Sequence, residues 1–206
     1  DAIDAVAYCT AMDFPISNNS WGGGGSSRAM KDAIDRAAQN GHLFCAAAGN
    51  SGTNNDSRPH YPSSYTSPNV LSVAASDSAD RLASFTCYGK ASVDLAAPGG
   101  SILNLVPNNR VAKLSGTSMA TPHVAGAAAL VLSLNPNARF AELKQALMDS
   151  VDPIESYKDK MVAPGRLNLL KALEGYSPNW LSVSPEKGSV AAGNSSRLTF
   201  SIDATK

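Results

Sequence analysis

The run Leu43-Phe44-Cys45-Ala46-Ala47-Ala48 is apolar without a break and stops at Gly49-Asn50. A run of that length, closed by a glycine turn, fits a strand buried on both faces. Strands of that kind belong to parallel sheets whose two faces are covered by helices. The rest of the chain agrees, because short apolar runs alternate with helical patterns. Asp1 to Cys9 has helical periodicity, and Phe14 to Trp21 reads as a strand that leaves its sheet at Asn18-Asn19-Ser20. After Gly22–Gly25, Ser26 or Ser27 caps a helix with Met30, Ala33, Ile34, Ala37 and Ala38 on one face, and Gly41 stops it. Val70–Ala75 and Ser92–Ala96 read as further strands, and Ile102–Val106 with Val111–Leu114 as a hairpin. A long helix from about Ser118 to Leu134 is apolar on nearly every side and should be buried. Amphipathic Arg139–Ser150 packs on the surface, and a short helix follows near Leu167–Glu174. The expected class is α/β, a mostly parallel sheet with helices on both faces.

Composition sets the outer limits. The 206 residues are 43% hydrophobic and 17% charged, which excludes a disordered polymer, and no run approaches the roughly 18 consecutive apolar residues of a membrane span. Seventeen basic residues balance seventeen acidic ones, so no net field attracts nucleic acid or an anionic membrane. Cys9, Cys45 and Cys87 are too few and too widely spaced for a disulfide scaffold or a CxxC site, and read as buried free thiols.

Chemistry concentrates at two strand ends. In Leu114-Ser115-Gly116-Thr117-Ser118-Met119-Ala120, a strand runs through a glycine turn into the long helix, with Ser118 at its start. Amides at a helix start lack intrahelical partners, and the dipole there favours negative charge. A serine so placed can attack a carbonyl while its own amide holds the oxyanion, or it can simply cap the helix. Asn50 follows the buried strand, where ligands of open parallel sheets bind. Its side-chain amide can donate to the same oxyanion, or it can serve as a turn residue.

Taken in order, Asn18-Asn19-Ser20-Trp21-Gly22-Gly23, Ala47-Ala48-Gly49-Asn50, Ala96-Ala97-Pro98-Gly99 and Gly116-Thr117-Ser118-Met119-Ala120-Thr121-Pro122-His123-Val124-Ala125-Gly126 resemble subtilisin-like serine proteases over about residues 1–175. The resemblance implies that Ser118 is the nucleophile, and that Asn50 and the Ser118 amide are the oxyanion donors. It implies that Ser20, Trp21 and Gly22 pair with the backbone of a peptide or protein substrate by edge addition. Ala47, Ala48 and Gly49 would line the primary specificity pocket, their small size leaving room for a large substrate residue. His60, just before Tyr61-Pro62, falls near the base of that pocket and indicates no charge preference. The family setting implies secretion. The chemistry calls for no cofactor, although Asp94 matches a position that binds structural calcium in some members.

The family's triad runs Asp, His, Ser, yet this chain has neither a D-x-G turn nor an H-G-T or H-G-S helix start. Its three histidines, His42, His60 and His123, do not fit the role of base. The expectation is therefore the C-terminal part of a peptidase domain in residues 1–176, inactive alone and needing the N-terminal half of the same peptidase as partner. The rival is a catalytically dead subtilase domain kept for binding or assembly. Beyond Tyr176 the pattern turns to period two, at Trp180 to Pro185 and Leu198 to Ile202. Residues 177–206 thus read as a linker and the opening strands of a β-sandwich-like extension.

Overall fold

The computed structural model describes residues 1–174, 181–184, 197 and 199–202. Helices α1 (Ala2–Ala11) and α2 (Arg28–Gln39) flank strand β1 (Ile16–Asn19) in sequence. Strands β2 (Leu43–Ala47), β3 (Val70–Ser76) and β4 (Leu95–Pro98) follow, then a hairpin of β5 (Ile102–Val106) and β6 (Arg110–Leu114). Helices α3 (Thr117–Leu134) and α4 (Phe140–Asp149), short strands β7 (Asp152–Pro153) and β8 (Gly165–Arg166), and α5 (Leu169–Glu174) complete the main body. The sheet has the order β1-β2-β3-β4-β8-β7, with only β7 antiparallel to its neighbour. Among the described residues of the C-terminal segment, β9 (Leu181–Ser184) pairs antiparallel with β10 (Thr199–Ile202). Trp180, Pro185 and the expected linker lie outside the described residues.

The two-residue period of a strand assigns each side chain to a layer. Leu43 and Cys45 of β2, with Leu71, Val73 and Ala75 of β3, face Ala120, Val124, Ala127, Val131, Leu143 and Leu147 on α3 and α4. Phe44 and Ala46 point the other way, onto Val6 of α1 and Met30, Ile34 and Ala37 of α2. Helix α2 starts where Ser27 Oγ accepts from Met30 N and ends in a Schellman turn. In that turn His42 N donates to Ala37 O and Gly41 N to Ala38 O, which requires the left-handed φ of +84° at Gly41.

Two expectations shift. The strand drawn from Ser92 begins only at Leu95, because Asp94 is already committed sideways to β3 through Ser72. Helix α3 was expected to be buried all round, but Pro122, Gly126, Ala129 and Leu130 are exposed. It is long and apolar enough to cross a membrane, yet one side packs on β1 to β4. The other side has no covering element among the described residues. The thiols also divide. Cys45 is buried and desolvation pushes it up to about 12, whereas Cys9 is half-buried.

Candidate active site

Parallel strands send their C-terminal ends to one side of the sheet, and here those ends carry Ser20, Gly49-Asn50 and the approach to Gly116. Gly116 N donates to Gly99 O just past β4, which brings the start of α3 to the same edge. Gly116, not Ser118, is the N-cap residue, and no side chain caps this helix. Ser118 therefore sits inside the first turn, and capping is not its role.

Thr117 performs a task that the motif alone did not disclose. Its N–H donates to Asn50 Oδ1 at 2.8 Å, and its hydroxyl donates to the same oxygen at 3.0 Å. Thr117 Oγ1 in turn accepts from Gly49 N at 3.2 Å. With its oxygen doubly engaged, the Asn50 carboxamide is left with Nδ2 as its free end. A Cβ placed on Gly116 would lie 3.5 Å from that Nδ2 and 3.6 Å from Ser118 N. Two donors thus converge beside the bare Cα of Gly116, at the positive end of a helix. Among the described residues neither Nδ2 nor Ser118 N has a hydrogen-bond partner.

Ser20 and Ser118 are joined reciprocally. Ser20 Oγ donates to Ser118 O at 2.8 Å, and Ser118 Oγ donates to Ser20 O at 3.1 Å. No histidine of the chain hydrogen-bonds Ser118 Oγ. His42 is buried, with Nδ1 donating to Phe14 O at 2.6 Å and Nε2 accepting from Ser17 Oγ at 2.7 Å. Desolvation holds its pKa below the ordinary histidine value, the Phe14 carbonyl offsetting only part. His123 Nδ1 donates back to Met119 O on its own helix.

The structure gathers Ser20, Trp21, Gly22, Gly49, Asn50, His60 and Ser118 at this edge. Ala48, just past β2, is buried in a cluster with Ala74, Cys87, Val93, Ala96, Tyr157 and Met161. Ala47 is also buried, within the sheet. Trp21 is 40% exposed and meets the Phe44 ring edge-on at 6.5 Å. The residues at Asp94 do not fit a calcium ion. Lys144 Nζ already lies 3.0 Å from Asp94 Oδ1 and donates to Val70 O at 2.6 Å, while Asp94 Oδ2 accepts from Ser72 N. An ammonium stands where a divalent cation would need to be.

An α/β sheet with a serine and two convergent amide donors at its C-terminal edge is an arrangement suited to acyl-transfer chemistry. Comparison with known proteins narrows the class. The model of the subtilase family, peptidase S8, matches residues 1–183. The chain is 39% identical over 173 residues to a thermophilic serine proteinase of Bacillus sp. (strain AK1), covering 84% of this chain and 41% of that protein. It is 36% identical over 171 residues to thermitase of Thermoactinomyces vulgaris, covering 83% and 58%. The structure of the prenylagaramide maturation protease PagA superposes with a TM-score of 0.74 at 32% identity, covering 86% of this chain and 67% of that one. The chain belongs to the subtilase family. It spans 41% to 58% of the length of those two curated relatives.

Proposed function

We propose that this chain carries the nucleophile and the oxyanion-binding donors of a serine endopeptidase, with the Asp and His of the triad supplied from residues outside it. The observation that carries this is the Thr117 clamp on Asn50, which turns one free amide toward the unpartnered Ser118 N–H. In the reaction, Ser118 Oγ attacks the scissile carbonyl as its proton passes to the histidine. Asn50 Nδ2 and Ser118 N donate to the tetrahedral oxyanion, and the leaving amine takes the proton from the histidine. Water then hydrolyses the acyl-enzyme by the same route. Ser20-Trp21-Gly22 accepts the peptide or protein substrate as an added strand. No metal or cofactor takes part in these steps.

Two features support a partner segment. Strand β1 ends the sheet with one edge unpaired among the described residues, and such an edge is a template for a further strand. Beside that edge, Phe14, Pro15, Ile16, Ala129, Leu132 and Pro136 line an open apolar groove. We assign this face to the N-terminal half of the same peptidase, whose strands would continue the sheet. The same family assignment supports a location outside the cell.

Intact-mass analysis after fluorophosphonate treatment tests the proposal, since that reagent requires an activated serine. One adduct on Ser118, formed only with the complementary half present, is the expected result. An adduct on this chain alone would refute the shared triad. No adduct in the complete folded protein would favour a dead domain, a reading consistent with the Ser118 hydroxyl resting on Ser20 O.

A further inference from the structure

Helix α3 contains a proline, and its effect falls on the residue that bears the nucleophile. Pro122 has no N–H, so the carbonyl four residues earlier, Ser118 O, cannot receive its ordinary intrahelical bond. The proline ring also crowds that same carbonyl. Ser118 is half-buried, where an acceptor left without a donor is unfavourable.

Ser20 supplies the donor. Its Oγ lies 2.8 Å from Ser118 O and takes over from the missing N–H. The hydroxyl has one proton, and that proton is committed to Ser118 O. Its oxygen is then free to accept from Asn18 Nδ2 at 3.1 Å. Asn18 belongs to β1, where it stands in register with Cys45 of β2. A relay thus runs from the sheet through the Asn18 amide and the Ser20 hydroxyl to the first turn of α3. Just before Ser118, the N–H of Thr117 is fixed on Asn50 Oδ1 at 2.8 Å. The nucleophile is therefore held from two sides, by Asn50 on the chain that precedes it and by Ser20 on its own carbonyl.

We infer that Ser20 is a positioning residue for the nucleophile: its hydroxyl replaces the hydrogen bond that Pro122 removes from α3, and Asn18 orients that hydroxyl. This rests on the endopeptidase proposal and gives the Ser20 side chain a role, since strand addition uses only its backbone. Without the hydroxyl, the first turn can shift and carry both Ser118 Oγ and Ser118 N away from the reacting carbonyl. A hydrogen bond of this kind is worth enough to change a rate about tenfold.

The test uses the complete peptidase and a peptide substrate. Ser20→Ala should lower kcat about tenfold with KM nearly unchanged, and Ser20→Thr, which keeps the hydroxyl, should retain most of the rate. Pro122→Ala returns an N–H to α3, so adding Ser20→Ala in that background should lower kcat less than about threefold. A general loss of structure at Ser20 would not be relieved by restoring one helix N–H. Equal losses from Ser20→Ala in both backgrounds overturn the inference. A rise in KM at unchanged kcat also overturns it, because the hydroxyl would then act on substrate. Should Pro122→Ala fail to fold, a Ser20→Thr enzyme no more active than Ser20→Ala overturns it without that variant. In each of these outcomes the wild type still cleaves, and the endopeptidase proposal stands. Absence of both cleavage and fluorophosphonate labelling in the folded wild type removes that proposal and this inference with it.

Discussion

Ser20 and Ser118, 98 positions apart, exchange hydroxyl-to-carbonyl hydrogen bonds in both directions. The pair ties the end of β1 to the first turn of α3, and it gives the Ser118 hydroxyl a resting partner that is not a base. Because the backbone of each supplies only an acceptor, the two bonds can be removed one at a time. Ser118→Ala should abolish fluorophosphonate labelling in the complete enzyme while lowering stability by no more than about 1 kcal/mol. Denaturant midpoints measured alongside the labelling check both statements.

Asn50 and Thr117 act in series. In the complete enzyme, Asn50→Ala should lower kcat by about 10²- to 10³-fold with little change in KM, the magnitude known for the corresponding donor in subtilisin. Thr117→Val keeps the N–H that holds Asn50 Oδ1 but loses the hydroxyl, so its effect on kcat should be smaller and of the same kind. Thr117→Ser should restore most of it. A rise in KM at unchanged kcat would mean that these groups only position substrate.

Folding stability should fall as the pH drops below about 6.5, the ordinary histidine value. His42 is neutral in the native state because desolvation lowers its pKa, so between that ordinary value and its lowered one the unfolded chain binds the extra proton. The loss levels off below the native pKa. His60 acts in the same direction. Urea midpoints at pH 7.5 and pH 5.5 should therefore differ, and His42→Gln should shrink the difference.

Lys144 is an internal cation for Asp94. Lys144→Met should destabilise by about 3 kcal/mol, because it leaves a carboxylate that is largely enclosed without its partner. Lys144→Ala opens the seat and should gain more from added calcium than the parent does. Thermal melts of both proteins with and without calcium decide the point.

Asp152 is held at about pH 2 chiefly by its bond from Lys171, with Asn168 and Arg166 assisting. Its contribution is present above the ordinary carboxylate value and fades as the pH falls toward 2. Asp152→Asn should therefore weaken the protein at neutral pH and flatten the acid limb of its stability curve, as acid-induced unfolding would register.

Local order was legible in the sequence because local order is written in short periods. The unbroken apolar run of β2, the cap at Ser26 or Ser27, the Gly41 stop and the 102–114 hairpin each depend on neighbours a few positions away. The position of Asn50 at a C-terminal strand end follows from parallel topology. What the sequence left undetermined are contacts across the folded sheet. The Thr117 clamp spans 67 positions, and the bond from Lys144 to Val70 spans 74. The His60 ring lies between Gly22 and Gly49 only because β1 and β2 end side by side with its loop folded over them. Helix α3 looked buried from its composition, but composition cannot say which neighbours cover a face. Periodicity reports which side of an element is apolar, and only tertiary packing decides what meets it.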